Sequence, residues 1–331
     1  MEGLCSREKE ALDCSLRPLD MHAHLPWWAR DPDRAGSVLV GAWREACIEA
    51  GLAIAVEPSI RLFRSNVDER RVYNAIGEYM DLVALSRIPT LTSLVYKTRD
   101  ALEEHVDFLR EHTRTTEEVL EAARLHPEII PVASYNPDLG VEGNISRLRS
   151  VLDRILGVKI FPTLHFIKPN HNSLSKLYRE LEDEGKIVIV HTGCDPGVWE
   201  LPRLCSHARP SLVEEAAKKH KDLIFIVAHL GSYSALTPGI FFHEAVRAIS
   251  RDNIYADTSA VDPYFVRLAV EEAGWDKILF GSDYPYVTGT KPVDWVKEIS
   301  MLDIPSRSKE AILRDNAVKL LRSLGPPAPR L

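Results

Sequence analysis

Short runs of apolar residues recur along the chain, and most are followed by an amphipathic stretch of helical period. Two of them, the IVIV run at 187–190 and the IFIV run at 224–227, contain no polar residue at all. A continuous apolar run next to a helix is typical of a strand in a parallel sheet, because helices cover both faces of that sheet. We therefore predict eight strands, near residues 19, 53, 130, 158, 188, 224, 255 and 278.

The amphipathic stretches between these runs predict helices. One begins at a capping box formed by Thr115 and Glu118. The other predicted helices cover residues 38–51, 147–156, 174–185, 212–221, 242–250, 263–273 and 308–324. Eight strands that alternate with helices favour the α/β class and a single (β/α)8 TIM barrel. A doubly wound open sheet is the alternative, but no strand leads into a glycine-rich phosphate-binding loop.

One segment interrupts this rhythm. Residues 59–114 follow the second strand and are far longer than an ordinary strand-to-helix connection. The segment contains a polar helix (67–85), an apolar piece (89–96) and an amphipathic helix with Leu102, Val106 and Leu109 on one face. We predict an insertion that lies over the barrel mouth or, alternatively, at a subunit contact of a homo-oligomer. The whole chain, 1–331, is predicted as one domain with a proline-rich flexible tail at 325–331.

Length and charge narrow the class of protein. A chain of 331 residues is long enough for one large barrel. The formal net charge is −7, with both signs interspersed, which argues against nucleic-acid and anionic-membrane partners. No apolar run approaches the ~18 residues of a membrane helix, and residues 1–8 are charged rather than signal-like. We expect a cytoplasmic protein that acts on a small molecule.

The cysteine and amide content adds two expectations. The five cysteines include no CxxC pair, which favours free thiols in a reducing compartment. Cys194 is then a buried free thiol, or alternatively a soft metal ligand near His191. The chain contains no glutamine, and depletion of thermolabile amides is a tendency of thermophile proteins.

The candidate chemistry lies where the predicted strands end. His22 and His24 are two residues apart, so a strand presents both on the same face. His191, His229 and Asp283 end the fifth, sixth and eighth strands. In a (β/α)8 barrel these carboxyl ends meet at the face where catalytic groups gather. Histidine and carboxylate side chains with an open position are typical of a transition-metal site.

The segments that carry these residues resemble the amidohydrolase superfamily, and within it the group that includes aminocarboxymuconate-semialdehyde decarboxylase. The matching pieces are HxH at 22–24, GVKIFP at 157–162, HTG at 191–193, AHLG at 228–231, ADTS at 256–259, GSDYP at 281–285 and NAVKLL at 316–321. The resemblance covers roughly residues 17–325 and is thinnest in the 59–114 insertion. It implies a metal-dependent TIM-barrel enzyme.

The resemblance also implies roles for individual residues. One divalent ion would be held by His22, His24, His191 and Asp283. His229 would act as an acid/base or would polarise a carbonyl group. Zn²⁺ is the expected ion, with Mn²⁺ or Fe²⁺ as alternatives. Such an ion lowers the pKa of a bound water toward ~7, and Asp283 would take the proton of that water.

Several further residues have two interpretations. Lys159 occupies the position of a carboxylated lysine that bridges two metals in binuclear relatives, whereas in single-metal relatives a lysine there contacts substrate or is structural. Trp27, with Trp28, would wall a pocket or pack against neighbouring loops. Arg61 and Arg64 would bind a substrate carboxylate or remain solvated. Two histidines of the loop after the fourth strand would contact substrate or be exposed: His165 and His171.

Taken together, these features predict a metal-dependent hydrolase that attacks a carbonyl carbon of a small molecule such as a lactone or an amide. The alternative is a metal-dependent, non-oxidative decarboxylase of an unsaturated or aromatic acid. A non-enzymatic scaffold is disfavoured because no ligand of the set is missing. A nuclease or phosphodiesterase is disfavoured by the acidic charge balance.

Overall fold

Eight parallel strands form one sheet, with neighbours in chain order. The strands are β1 (Leu19–Ala23), β2 (Ala50–Ile54), β3 (Ile129–Ser134), β4 (Gly157–Ile160), β5 (Ile187–Val190), β6 (Ile224–Val227), β7 (Ile254–Asp257) and β8 (Ile278–Leu279). The computed structural model describes residues 14–66, 100–195, 200, 202–234 and 237–324. The predicted helix at 67–85, the apolar piece at 89–96 and the tail at 325–331 lie outside the described residues.

Backbone hydrogen bonds bring β8 back to β1 and close the barrel. Met21 N donates to Phe280 O at 2.8 Å, and His22 O accepts from both Ser282 N (3.1 Å) and Asp283 N (2.8 Å). The sheet therefore has no long exposed edge. This confirms the predicted (β/α)8 TIM barrel, and it sets Asp283 directly beside the end of β1.

Helices alternate with the strands around the barrel. They are α1 (Pro32–Glu45), α2 (Ile60–Asn66), α3 (Asp100–His112), α4 (Thr116–Leu125), α5 (Gly140–Arg149), α6 (Pro162–His165), α7 (Ser175–Asp183), α8 (Pro210–Lys219), α9 (Phe242–Ala248), α10 (Pro263–Ala273), α11 (Pro292–Met301), α12 (Ser306–Glu310) and α13 (Asn316–Ser323). A π-helical turn, Ala311–Asp315, joins α12 to α13. Within the described ranges, no helix has the length and apolar character needed to cross a membrane.

The strands are apolar throughout because both of their faces are buried. In β5, Ile187 and Ile189 belong to the cluster inside the barrel. Val188 and Val190 alternate with them and belong to the cluster between strands and helices. Successive side chains of the strand thus point alternately into two apolar cores. This explains why polar and apolar residues do not alternate along the run.

Some predicted helix boundaries are wrong, because the N-cap residues and prolines that mark helix starts were not used in the prediction. The helix predicted at 38–51 is α1, which begins at Pro32 with Asp31 as its N-cap; the Asp31 side chain accepts from Arg34 N at 2.9 Å. The helix predicted at 147–156 is α5, which ends at Arg149. α11 was not predicted, although it also begins at a proline, Pro292.

The prediction of free thiols is also wrong for the described cysteines. Disulfides join Cys14 to Cys47 and Cys194 to Cys205, with Cα–Cα distances of 5.1 and 5.3 Å. Both distances suit a disulfide. The partners are 33 and 11 residues apart in sequence. The fold rather than a short motif brings them together, so cysteine spacing could not reveal the pairs. Cys5 lies outside the described residues.

A buried carboxylate joins three elements near the end of β2. Glu57 Oε1 accepts from Thr116 N at 2.8 Å and from Thr116 Oγ1 at 2.7 Å. Arg147 of α5 pairs with both Glu57 oxygens, each at 2.8 Å. Burial raises the pKa of Glu57, but Arg147 and Thr116 outweigh it and hold the pKa below its ordinary value. The ion pair therefore links β2, α4 and α5.

Replacing Arg147 with methionine tests this link. We expect the free energy of unfolding at neutral pH to fall by about 3 kcal/mol, since Glu57 is left buried without its cation. Because folding lowers the pKa of Glu57, the stabilisation is present above the unfolded-state pKa and is lost as the pH falls through the folded-state value. Urea titrations at neutral and acidic pH measure both effects. If the free energies of unfolding of wild type and variant differ by the same amount at both pH values, this account is contradicted.

Candidate active site

The HxH pair and Asp283 meet at the carboxyl end of the barrel. His22 Nε2 lies 3.5 Å and His24 Nε2 lies 3.4 Å from Asp283 Oδ1. All three side chains are buried. Asp283 has a left-handed backbone with φ of 53°, a strained conformation for a non-glycine residue and one that clusters at functional sites.

Hydrogen bonds behind the two imidazoles determine which nitrogen faces Asp283. His24 Nδ1 donates to Ile54 O at 2.8 Å, and a carbonyl oxygen can only accept. His22 Nδ1 donates to Asp257 Oδ2 at 2.8 Å. In the neutral rings, both Nε2 atoms therefore keep their lone pairs. Two imidazole lone pairs and a carboxylate oxygen face one another, and these are the donor atoms that a divalent transition-metal ion takes.

The protonation states agree with such a centre. Burial raises the pKa of Asp283, but the surrounding His24, His229 and His22 outweigh it and hold the pKa well below its ordinary value. Burial lowers the pKa of His22 well below its ordinary value, and the Lys159 ammonium lowers it further. Asp283 is thus ionised, and burial with Lys159 favours the neutral form of His22, which is the form that offers a lone pair to a metal ion.

Lys159 on β4 reaches into the same centre. Its Nζ lies 3.2 Å from His22 Nε2, in agreement with a lone pair on that nitrogen. Burial lowers the pKa of Lys159 to about 8, against the opposing effect of Asp257, Asp283 and Glu200. Lys159 therefore lies among the predicted site residues. Its role as a metal bridge or as a substrate contact stays a prediction.

His191 and His229 form a second imidazole pair. His229 Nδ1 lies 2.9 Å from Ser259 O, which fixes its N–H on Nδ1. Burial lowers the pKa of His229 to about 4, so the ring is neutral and its Nε2 is an acceptor. His191 Nδ1, at 3.0 Å from that Nε2, is therefore the donor. His229 has φ of 60°, a second left-handed residue at the site.

The structure brings three of the four predicted metal ligands together. Among the described residues, two groups of three side chains have ligand atoms within 4.8 Å of one another: His22, His24 and Asp283, and His22, His229 and Asp257. His191 belongs to neither group. Its ring instead stacks on Phe161, with centroids 3.9 Å apart.

Two carboxylates of the site were not among the predicted residues. Asp257 lies in the ADTS motif, and its Oδ1 accepts from His229 N at 3.0 Å and from Ser259 N at 3.1 Å. Glu200 is fully buried and lies 3.3 Å from His191 Nε2. Burial raises the pKa of Glu200 to about 7, although Thr163 lowers it. The position of Asp257 at the end of a strand could have identified it as a site residue, whereas Glu200 belongs to none of the sequence motifs.

A small pocket, with a cavity volume of about 30 Å³, lies above these groups. Beside the histidines, Asp283 and Lys159, its walls among the described residues are Val56, Thr113, Phe161, Leu164, Tyr233 and Tyr286. Thr113 belongs to the inserted segment. Val106 and Leu109 of α3, in the same segment, pack with Val56. Aromatic and apolar walls around a polar floor are typical of a small-molecule site.

The residues predicted to bind substrate lie away from this pocket. Trp27 stacks on Tyr286 with ring centroids 5.6 Å apart, so it supports a wall from behind. Arg61 is exposed and pairs with Asp138 at 3.1 Å, and Arg64 is also exposed. Both arginines lie at the surface, and neither is among the described residues that line the pocket.

The two loop histidines have different environments. His165 is buried, and its Nδ1 accepts from Phe161 N at 3.0 Å. The exposed-loop interpretation is therefore wrong for His165, because α6 turns it inward. His171 is exposed, as that interpretation predicted.

A sequence model of the amidohydrolase family matches residues 19–323, which is most of the chain. The chain belongs to the amidohydrolase family. This confirms the family that the sequence motifs predicted. No curated protein matches the chain.

Solved structures with the same fold include proteins of two reaction types. An uncharacterised TIM-barrel protein from Bordetella bronchiseptica has a TM-score of 0.62 and 16% identity, over 92% of this chain and 98% of that one. A probable 2-pyrone-4,6-dicarboxylic acid hydrolase from Acinetobacter baumannii has a TM-score of 0.56 and 13% identity, over 92% and 98%. A 5-carboxyvanillate decarboxylase from Novosphingobium aromaticivorans, complexed with manganese, has a TM-score of 0.57 and 11% identity, over 93% and 96%. At such identities the similarity shows the fold alone.

Replacing Asp257 with asparagine tests the arrangement behind His22. The amide can donate to His22 Nδ1 and so favours the tautomer with its N–H on Nε2, facing Asp283. We expect divalent-ion affinity to fall by about 10–100-fold. Competition with a chromophoric chelator measures this affinity, and circular dichroism checks the fold. An unchanged affinity in a folded variant would mean that Asp257 does not set the His22 tautomer.

Proposed function

We propose that this member of the amidohydrolase family is a metal-dependent hydrolase that attacks a carbonyl carbon of a small molecule, such as a lactone or an amide. The observation that carries the proposal is the convergence of the His22 and His24 Nε2 lone pairs on Asp283 Oδ1, 3.5 and 3.4 Å away, at the floor of a pocket. A divalent ion bound there supplies a polarised carbonyl group and a water whose pKa is lowered toward ~7.

We propose one ion per chain, with Zn²⁺ first and Mn²⁺ or Fe²⁺ as alternatives. An imidazole and carboxylate donor set suits all three. A single ion is favoured because the predicted set supplies four ligands, and the second cluster of ligand atoms, His22, His229 and Asp257, shares His22 with the first. The manganese complex of the solved decarboxylase keeps Mn²⁺ among the candidates.

The proposed roles follow from the protonation states. Asp283 is ionised and lies beside the two imidazoles, where it would accept the proton of the attacking water and later deliver it to the leaving group. His229 is neutral and lines the pocket, where it would orient the substrate carbonyl. His191 would complete the ligand set by turning one of its nitrogens toward the ion.

Hydrolysis is favoured over decarboxylation by the positions of the arginines. A decarboxylase must hold a substrate carboxylate, usually with a committed arginine or lysine. Arg61 is paired with Asp138, and Arg64 is exposed at the surface. No arginine is among the described residues that line the pocket.

Decarboxylation of an unsaturated or aromatic acid is the second candidate, and Lys159 is the observation that favours it. Lys159 is a buried amine on the pocket floor and would pair with a carboxylate. Phe161, Tyr233 and Tyr286 would flank a planar ring. The pyrone-dicarboxylic acid hydrolase and the carboxyvanillate decarboxylase among the similar structures are named for ring carboxylic acids, so such acids belong in any substrate screen.

We also propose a cytoplasmic location and a heat-adapted source. The two disulfides are unusual for a reducing cytoplasm, but intracellular proteins of hyperthermophiles are a recognised exception. The absence of glutamine also supports a heat-adapted source. The part of the 59–114 insertion that ends at Thr113 would close one side of the pocket, since Thr113 lines it; a subunit contact is the alternative use of the insertion.

Metal analysis of wild type and two variants tests the proposed roles. We expect about one divalent ion per wild-type chain, removed by chelation together with activity. Asp283→Asn should fold and lose nearly all turnover. His229→Asn should retain the ion and lose about 10²–10⁴-fold in turnover, the range for an acid/base group. Absence of stoichiometric metal after expression with added zinc, manganese or iron would overturn the metalloenzyme proposal. Loss of metal from His229→Asn would instead make His229 a ligand.

A substrate screen decides the reaction class. Lactones, amides and unsaturated or aromatic carboxylic acids are incubated with the metal-loaded enzyme, and both product and CO₂ are followed. We expect turnover without CO₂ release. Arg61→Ala and Arg64→Ala serve as matched surface controls and should behave like wild type. Stoichiometric CO₂ release that is abolished in Lys159→Met would make the enzyme a lyase.

A further inference from the structure

Glu200 is a buried carboxylate to which the proposed reaction gives no role. Its side chain is fully buried, and burying a carboxylate is costly unless it has partners. Oε1 accepts from Thr163 Oγ1 at 2.6 Å, and Oε2 accepts from Asp195 N at 2.7 Å. Oε1 also lies 3.3 Å from His191 Nε2. Glu200 thus stands between the segments that follow β4 and β5.

The residues around Glu200 hold its segment against the barrel. The disulfide between Cys194 and Cys205 ties together residues on either side of it. Gly193 has φ of 96°, and a Cβ built on it would lie only 2.5 Å from Tyr233 N, so the backbone packs tightly onto the segment after β6. The hydrogen bonds from Thr163 and Asp195 hold the Glu200 carboxylate beside His191, and the disulfide and the Gly193 packing restrain the neighbouring described residues.

The hydrogen bonds of His191 leave its Nε2 available. As shown above, His191 Nδ1 donates to His229 Nε2, so in the neutral ring Nε2 carries no proton. Among the described residues, His191 Nε2 is a buried nitrogen without a hydrogen bond, although Glu200 is close to it. A lone pair that faces an ionised carboxylate gains nothing, but an N–H in the same place would have an acceptor.

We propose that Glu200 is a positioning residue, which accepts an N–H from His191 Nε2 when the Nδ1 lone pair of His191 is turned to a divalent ion. The inference rests on the metal centre proposed above. The step is a tautomeric exchange: the single N–H of the neutral ring moves from Nδ1 to Nε2, and no proton is gained or lost. Ligating histidines commonly donate their other N–H to a carboxylate, and this fixes the tautomer.

This assignment accounts for two features at once. His191 was predicted as a ligand, yet it is outside the trio of His22, His24 and Asp283 because its Nδ1 is bonded to His229. Glu200 offers the alternative partner that would release Nδ1. If Glu200 only joined Thr163 to Asp195, its removal would lower stability and leave the His191 tautomer unchanged.

The test compares two carboxylate–imidazole pairs of similar geometry. Glu200→Gln removes the ionisable carboxyl group beside His191. Glu182→Gln is the matched control, since Glu182 lies 3.4 Å from His220 Nδ1 and accepts from the backbone just before β6, at the opposite end of the barrel. Zinc affinity is measured by chelator competition and stability by thermal unfolding. The His191 tautomer is read from the ¹⁵N shifts of its ring in the zinc-loaded protein.

We expect Glu200→Gln to bind zinc about 10–100-fold more weakly than wild type, with Glu200→Asp recovering part of the loss. Glu182→Gln should bind zinc like wild type. In zinc-loaded wild type, the His191 N–H should be on Nε2. If Glu200→Gln fails to fold, Thr163→Val keeps the Glu200 carboxyl group but removes one of its two hydrogen bonds, and it should weaken zinc binding by a smaller factor.

The outcomes separate this inference from the proposed function. Zinc bound equally by wild type and Glu200→Gln, or a His191 N–H on Nδ1 in the zinc-loaded wild type, overturns the role of Glu200 alone. A wild-type protein that binds no zinc, manganese or iron overturns the proposed metal centre and this inference together.

Discussion

The hydrogen bond between the Asp257 carboxylate and His22 Nδ1, 2.8 Å long, is the interaction on which the site depends. It fixes the Nε2 lone pair of His22 on the side of Asp283. The second oxygen of Asp257 accepts from the backbone of His229 and from Ser259, so one buried carboxylate joins the ends of β1, β6 and β7. Without it, His22 would be free to present an N–H where a cation must bind.

The barrel supplies the surroundings that make this bond effective. Its parallel strands end at one face, and closure of β8 onto β1 brings Asp283 beside the HxH pair. Lys159, Asp257, Asp283 and Glu200 are all buried there, above a barrel filled by aliphatic side chains. In such a low-dielectric environment an unpaired group is costly, whereas a satisfied network is rigid and directional. The same groups therefore shift pKa values and hold the imidazoles in fixed orientations.

The sequence predicted the repeating strands and helices and the site residues that follow the ends of strands. Both faces of each strand are buried, so the strands were visible as apolar runs, and their ends identified His22, His24, His191, His229 and Asp283. What depends on tertiary contacts was missed. Glu200 reaches His191 through a segment without a motif, and the disulfides join residues that are distant in sequence. Arg61 had the right chemistry for a carboxylate, but its partner is Asp138 on the surface.

The most direct test of the central claim is anomalous X-ray diffraction from crystals grown with zinc. The account predicts one strong anomalous peak per chain, about 2.0–2.2 Å from His22 Nε2, His24 Nε2 and an oxygen of Asp283. Such a peak would place a divalent ion where the two lone pairs and the carboxylate converge. No peak at this position in crystals that contain zinc, or a peak only at other histidines such as His220, would contradict the account.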